Sequence, residues 1–354
     1  MKMKAIKLIL LAGVSLLALG SCQKAENLGG QAIRFSATAN PTTKTAYGDY
    51  DNTDKPTKQS INWIEGESVR VWSDIASLRY DANVHYYDYV IANPEGNKAS
   101  LSNNTVISNG LVYSENYTGD TDYNFWAISP AKALETPENG PENGKALYTI
   151  VSQTGTAPSN GVIPADMDQA VLLASATDRP WKAYGNTDKS ISLVFNPAFT
   201  AFEITLLGDM NLGNESITLT SVVLKSADGA KDLAAKVTAT FGSPISYSFA
   251  GYSDLTYTFP GDGVTINEST LITFTVLAIP EDVEGLKLIF NLGDGQVRTA
   301  TLTSSNTEDP LVFGACQKHR LYGLAMPDGF KMFASEAELK VALTKPVDHD
   351  ELHL

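Results

Sequence analysis

The sequence predicts an all-β protein built from antiparallel β-sandwiches. From residue 31 onward, short segments with an apolar side chain at every second position follow one another, and Gly, Asn, Asp or Pro ends each of them. This period is that of a half-buried strand, and almost no segment shows the period of a helix. Strands at this spacing, separated by turn residues, are typical of antiparallel sandwiches.

Two hairpins illustrate the pattern. Residues 61–72, INWIEGESVRVW, have alternating apolar side chains on both sides of a turn that contains Gly66. We therefore expect two strands here, with Trp63 on the face that packs into the N-terminal core. Residues 286–302, LKLIFNLGDGQVRTATL, predict a second hairpin with an Asp-Gly turn at Gly295.

The first residues predict an exported lipoprotein. Residues 1–21 combine three lysines with an apolar run that is too short to span a bilayer comfortably, as in a secretory signal peptide. Residues 19–22, LGSC, resemble a bacterial lipobox, in which the cysteine thiol receives a diacylglycerol before cleavage. The mature chain is then expected to begin at lipidated Cys22, because each buried methylene of an acyl chain contributes about 0.8 kcal/mol to membrane binding.

Composition excludes several classes of protein. The formal charge of −14 becomes −17 once the three signal-peptide lysines are removed, because no acidic residue is lost with them. Such an acidic chain is not expected to bind nucleic acid. Cys22 and Cys316 are the only cysteines, so the fold has no disulfide framework. Cys316 lies between apolar residues and is expected to be an inert thiol.

A polar segment marks a predicted domain boundary. Residues 182–190, KAYGNTDKS, are rich in turn residues and separate two groups of predicted strands. The predicted division is a signal peptide (1–21), a lipidated cysteine with a tether (22–30), an N-terminal β-sandwich (31–187), a C-terminal β-sandwich (188–327) and a tail (328–354).

The tail has two interpretations. Ser335 and Glu338 form a capping box, which together with the alanines favours a short helix. With a period of two, however, Leu339, Val341 and Leu343 fall on one face of a strand. Both interpretations stay open on the sequence alone.

Catalytic motifs are absent from the sequence. There is no HExxH, CxxC, GxSxG or Walker sequence and no GxGxxG that opens a helix, so we expect no enzymatic activity, no cofactor and no metal. Residues 49–54 and 348–354 contain carboxylates or imidazoles, but they lack the context of an EF-hand or a zinc site. A carboxylate pair for glycoside hydrolysis cannot be recognised from sequence, because it is defined by its spacing in the fold.

A tyrosine-rich segment is the best candidate for a ligand-binding surface. Residues 79–90, RYDANVHYYDYV, contain Tyr80, Tyr86, Tyr87 and Tyr89, whose rings could stack on a sugar. Only one face of an alternating strand is exposed, however, and tyrosines are also common in the cores and edges of sandwiches. A ligand platform and a purely structural role are both compatible with the pattern.

Several segments occur in an order that resembles a known family. They are the lipobox, Thr43-Lys44-Thr45 after an early strand, W-x-x-G-E-x-V-x-V-W at 63–72, YNFWAISP at 123–130, SLVFNPAFTAFEITL at 192–206 and VFGACQKHRLYGL at 312–324. This order resembles that of fimbrillin-type lipoproteins of the Bacteroidales, the Mfa-like proteins that build or decorate type V pili. The resemblance covers nearly the whole mature chain.

The resemblance implies a fold and a route of assembly. The fold would be two tandem transthyretin-like antiparallel β-sandwich domains, carried to the outer membrane as a surface-exposed lipoprotein. A protease specific for Arg or Lys would remove the first strand of the N-terminal domain, and a donor strand from another subunit would fill the groove. Partners would be other fimbrial subunits or ligands on host or bacterial surfaces, with the membrane contacted through the lipid anchor.

The processing site is expected in the polar stretch that follows the first strand, AIRFSATA. Lys44, Lys55 and Lys58 lie in this stretch, and Lys44 is nearest to the strand. Proteases need an exposed and flexible site, so Arg34 inside the strand should be protected.

The donor segment would be the C-terminal tail of a neighbouring subunit. Leu339, Val341 and Leu343 would fill its pockets, which requires the tail to be a strand. We therefore expect a structural or adhesive fimbrial subunit. The alternative is a surface glycan-binding lipoprotein of a nutrient-uptake system that uses the tyrosine-rich strand.

Overall fold

The fold is taken from a computed structural model of the chain. It describes residues 32–40, 62–78, 81–103, 110–113, 122–135, 141–178, 190–212, 215–303 and 310–344. These residues form 24 strands, short 3-10 helices and one α-helix, α1 (Glu336–Thr344), so the predicted all-β class is confirmed. No helix within the described ranges is both long and apolar enough to cross a membrane.

The strands are numbered in chain order. They are β1 (Arg34–Ala39), β2 (Ser68–Ser73), β3 (Ser77–Leu78), β4 (Tyr86–Glu95), β5 (Lys98–Ser102), β6 (Leu111–Val112), β7 (Tyr123–Ser129), β8 (Lys145–Ile150), β9 (Gln153–Thr154), β10 (Leu172–Asp178), β11 (Ser190–Pro197), β12 (Thr200–Gly208), β13 (Ile217–Lys225), β14 (Ala234–Thr240), β15 (Ser246–Ser253), β16 (Leu255–Thr258), β17 (Val264–Ile266), β18 (Leu271–Ala278), β19 (Val283–Glu284), β20 (Leu286–Leu292), β21 (Val297–Leu302), β22 (Val312–Phe313), β23 (Lys318–Met326) and β24 (Gly329–Phe333).

Seven strands close into a barrel in the order β1, β11, β10, β7, β2, β4, β5. Neighbours are antiparallel except β1 and β11, which are parallel. The prediction of sandwiches did not include this closure, because a period of two shows which face of a strand is buried but not whether the sheet closes on itself. The strand β11 lies in this barrel, although the predicted domain boundary places it in the second domain.

Two sheets pack on each other in the second half. One has the order β18, β12, β23, β24, and the other has the order β21, β20, β13, β16, β9, with β17 also paired to β13. Phe290 of the second sheet stacks on Phe330 of the first, with ring centroids 4.0 Å apart. Tyr257 of the second sheet and Phe274 of the first make a tilted ring contact, with centroids 5.0 Å apart. This half is a sandwich, in which the parallel pairs β12–β23 and β9–β16 accompany antiparallel ones.

Residues 145–154 tie the two halves together. Strand β8 pairs with β14 over six residues, and β9 pairs with β16. The buried side chain of Gln153 donates to the Leu277 carbonyl at 2.6 Å and accepts from the Leu277 N–H at 3.0 Å. Part of the predicted N-terminal domain is therefore built into the sheets of the second half. The proposed boundary segment lies outside the described residues up to residue 189.

Both predicted turns are present. Gly66 and Gly295 have φ values of +87° and +84°, which are left-handed conformations that only glycine adopts without strain. Trp63 is buried as expected, although residues 62–64 form no regular strand, so the first predicted hairpin has a strand on one side only among the described residues.

The tail contains a helix. The Ser335 hydroxyl oxygen accepts from the Glu338 N–H at 3.3 Å, and the Glu338 carboxylate accepts from the Ala334 N–H at 3.1 Å. These bonds satisfy donors that a helix N-terminus leaves unpaired, which favours α1 over a strand. Leu339 packs on Leu324, Met326 and Phe333 in a small separate core.

Candidate functional site: the closing strand of the barrel

The strand β1 is the element that closes the barrel. It pairs in parallel with β11 from Arg34–Ser190 to Ala39–Phe195, and antiparallel with β5 from Phe35–Leu101 to Thr38–Lys98. Both edges of β1 are therefore occupied, although neither neighbour is adjacent to it in sequence. Loss of β1 would leave β5 and β11 each with an unpaired edge.

Alternate side chains of β1 fill the barrel. Phe35, Ala37 and Ala39 have exposed fractions of 2%, 1% and 0%, while Arg34 points to solvent. The Phe35 ring meets Tyr89 and Phe125 edge to face, with centroids 5.3 and 5.2 Å apart. Along its inner face β1 therefore presents one large apolar side chain followed by two small ones.

Hydrogen bonds fasten both ends of β1. The Ile33 N–H donates to the Leu111 carbonyl and the Ala39 N–H to the Asn97 carbonyl, each at 2.8 Å. The Asn97 side chain returns a bond to the Ala39 carbonyl at 3.1 Å. The length of strand that the barrel holds is therefore set by residues 33–39.

The floor of the β1 groove is an aromatic cluster. The hydroxyl of Tyr89 accepts from the Leu111 N–H at 2.9 Å, and burial raises the pKa of Tyr89 above its ordinary value. This hydroxyl therefore stays neutral, which suits a group that is 1% exposed. Trp63 packs edge-on against Phe195 of β11 at 5.2 Å and donates from Nε1 to the Asn97 carbonyl at 3.1 Å.

The tyrosines of β4 do not form one exposed row. Tyr89 belongs to the barrel core, so it cannot stack on a ligand. Tyr87 is half-buried against Tyr89, with ring centroids 5.0 Å apart, and Tyr86 lies under the Arg70 guanidinium at 5.1 Å. Tyr80 lies outside the described residues. The alternation identified the strand, but the sequence does not show that its tyrosine face turns inward.

The predicted donor residues lie in α1 rather than in a strand. Leu339 is buried, while Val341 and Leu343 are exposed by 54% and 47%. The three side chains therefore do not share one face, because residues two apart on a helix point in different directions. The strand interpretation on which their donor role depends is thus not the one that this chain adopts.

Most of the remaining candidates lie in parts of the chain that the structure does not describe. Cys22 and the processing candidates Lys44, Lys55 and Lys58 lie outside the described residues. The half-buried thiol of Cys316 is 3.8 Å from the Tyr247 hydroxyl, and burial raises its pKa, so the thiolate is disfavoured. Within the described part of the chain, no group of three or more His, Cys, Asp or Glu side chains is placed to hold a metal ion.

Comparisons with known proteins give structural similarity only. No family model matches the chain, and no curated protein matches it. A solved structure of a candidate cell adhesion protein from Bacteroides uniformis is 15% identical, with a TM-score of 0.48, and the match covers 86% of this chain and 96% of that one. A fimbrial assembly protein from Parabacteroides distasonis is 12% identical with a TM-score of 0.39, over 87% and 96%. The fimbrial anchor protein Mfa2 from Porphyromonas gingivalis is 10% identical with a TM-score of 0.36, over 85% and 95%.

Proposed function

We propose that this chain is a cell-surface fimbrial subunit that assembles when a strand from another subunit replaces β1. The observation that carries the proposal is the position of β1 between two strands that are distant from it in sequence. The resemblance of the sequence motifs to fimbrillin-type lipoproteins points to the same class of protein.

A single cut would separate β1 from the rest of the barrel. Residues 41–61 are the only covalent connection between β1 and β2 along the chain, and they contain Lys44, Lys55 and Lys58. After cleavage, β1 would be held by its hydrogen bonds and by the burial of two large side chains, Phe35 and the preceding Ile33. A competing strand that offers the same backbone ladder and a comparable apolar residue can therefore take its place.

The chain is proposed as an acceptor of a strand. The groove would take a donor that runs parallel to β11, with a large apolar side chain at the Phe35 position and small ones at the Ala37 and Ala39 positions. The tail forms the helix α1, which is capped at its N-terminus and anchored by Leu339. We therefore assign the donor strand to another fimbrial protein rather than to the tail of a second copy of this chain.

Membrane attachment is proposed to precede assembly. Lipidated Cys22 would hold the precursor at the outer membrane, and the cut would leave the lipid on the fragment that carries β1. Membrane release and groove opening would then be one event, since the lipid leaves with β1 when another strand replaces it.

Maturation can be tested with one labelling experiment. Cells grown with radioactive palmitate are expected to yield labelled precursor, and mild trypsin treatment should move the label to a short N-terminal fragment. The new N-terminus of the unlabelled part should lie within residues 45–59. A Cys22→Ser variant should take up no label but should be cut at the same place. Label that enters this variant, or a first cut outside residues 41–61, would contradict the proposal.

A further inference from the structure

The outer end of the second sandwich forms one continuous surface from several loops. The Gly208 N–H donates to the Thr270 carbonyl at 3.2 Å, and the Asp209 N–H donates to the Ala325 carbonyl at 2.8 Å. The Arg298 guanidinium reaches the Met326 carbonyl at 3.1 Å. We name this surface the distal end and define it by residues 208–212, 215–216, 260–271, 293–297 and 326–329.

An apolar groove opens at the distal end. It has a volume of about 580 Å³, and its walls include Pro158, Pro260, Val264, Leu271 and Ile272. Leu271 is exposed by 51% although it begins a strand that is otherwise largely buried. The groove is large enough for an aromatic side chain and the residues beside it.

Two further apolar side chains are exposed on the distal end. Met210 is exposed by 75% and Val297 by 59%, and both belong to loops or strand ends of the distal end. Exposed apolar side chains that are grouped at one end of a molecule, rather than scattered, are typical of an interaction surface.

The distal end carries several exposed carboxylates. Glu215, Asp262, Glu268, Asp294 and Asp328 are exposed on the loops of the distal end. The residues that define the distal end include no Lys, Arg or His. Arg298 of β21 comes directly after the last residue of one of these loops. An occupant of the groove should therefore combine a large apolar side chain with basic residues.

One segment of this chain has that composition. Residues 179–189, RPWKAYGNTDK, carry three basic residues and one acidic residue, in a chain whose formal charge is −14. They also contain Trp181 and Tyr184. This segment lies outside the described residues and connects β10 to β11 in the barrel.

The segment and the distal end are attached to opposite sides of the junction between the two halves in the chain order. Strands β10 and β11 pair at Leu172–Pro197 and Leu173–Asn196, next to the residues that precede β12, and the segment joins their other ends. The distal end begins where β12 ends, nine residues beyond that junction, or about 30 Å of strand. We assign the occupant to a second copy, and the self-association experiment below tests this assignment.

We propose that the groove at the distal end binds residues 179–189 of a second copy, with Trp181 in the groove and the basic side chains facing the carboxylates. Each copy has one groove and one segment, so the contact is heterologous and can repeat along a line. It goes beyond the proposed function, because it requires neither cleavage nor release of β1.

A labelled peptide tests the contact directly. The probe is the fluorescein-labelled peptide of residues 179–189, and the protein is the uncleaved chain from residue 23 onward. Fluorescence anisotropy at low salt should show saturable binding that weakens as NaCl is added. A peptide with alanine in place of Trp181 should bind at least tenfold more weakly.

Two protein variants separate a specific groove from general charge attraction. Leu271→Lys places a positive charge in the groove and should weaken peptide binding at least tenfold. Ser246→Lys makes the same change of net charge at an exposed position of β15 and should bind as the parent does. Both side chains are exposed, and circular dichroism will verify that both variants fold. Equal binding by the two variants, or no binding of the peptide to the parent, overturns the proposal.

Self-association of the full chain tests whether the occupant belongs to a second copy. Sedimentation of the parent should show a mean mass that rises with concentration, and a Trp181→Ala, Lys182→Glu variant should remain monomeric over the same range. A parent that stays monomeric while the free peptide binds its groove would contradict the assignment to a second copy. Because β1 is intact throughout, the result is independent of strand exchange.

Discussion

The Phe35→Ala variant is expected to lose about 3–5 kcal/mol of unfolding free energy, the usual cost of truncating a buried aromatic ring. Phe35 is 2% exposed and contacts Tyr89 and Phe125 edge to face across the barrel. The other inward side chains of β1 are two alanines, so the ring is the largest apolar group that this strand buries, next to Ile33 just before it. Urea denaturation followed by intrinsic fluorescence measures the loss.

Ser36→Ala is the matched control for Phe35→Ala. Ser36 is the next residue of β1, and its side chain lies on the outer face and is half-buried. The control should unfold within about 0.5 kcal/mol of the parent, as surface substitutions usually do. A Phe35→Ala variant that is as stable as this control would mean that β1 contributes little to the barrel.

The Trp63→Ala variant is expected to be destabilised to a similar extent, by about 3–5 kcal/mol. Trp63 is 4% exposed, packs against Phe195 and donates a hydrogen bond to the Asn97 carbonyl. The substitution also leaves the Asn97 carbonyl, which accepts from the Ala39 N–H, without its second donor. The end of β1 should therefore loosen along with the core.

Two variants resolve the contributions of Trp63. Trp63→Phe keeps a ring and loses the hydrogen bond, so it should cost about 1 kcal/mol for the bond in addition to the change in packing. Ile64→Ala removes an adjacent side chain that is 48% exposed and should have little effect. Hydrogen exchange at the Ala39 amide should accelerate in Trp63→Ala. Unchanged exchange there would show that Trp63 does not stabilise the end of β1.

The sequence predicts local features of this fold well because they depend on neighbouring residues. The alternation of β1 and β20 correctly identifies their buried faces, and glycine at positions 66 and 295 correctly predicts turns. The burial of Trp63 follows from the same alternation, although its backbone is not in a strand. The capping box of α1 likewise depends on two residues three positions apart.

Long-range features could not be predicted from the same patterns. The pairing of β1 with β11 joins residues that are more than 150 positions apart, and a period of two is the same for parallel and antiparallel neighbours. The inward direction of Tyr89 depends on which face of β4 the barrel encloses. The role of β1 as the closing strand therefore became apparent only from the sheet order.

The central claim is that the barrel can exchange β1 for another strand, and a peptide replacement assay tests it most directly. A specific protease site inserted after Asn40 allows the folded chain to be cut next to β1. The cut protein is then mixed with an excess of labelled peptide of residues 32–40 and separated from free peptide by gel filtration. We expect the label to enter the protein as the original fragment leaves, and a peptide with aspartate in place of Phe35 to be excluded. Retention of the original fragment despite excess peptide, or equal uptake of both peptides, would contradict the claim.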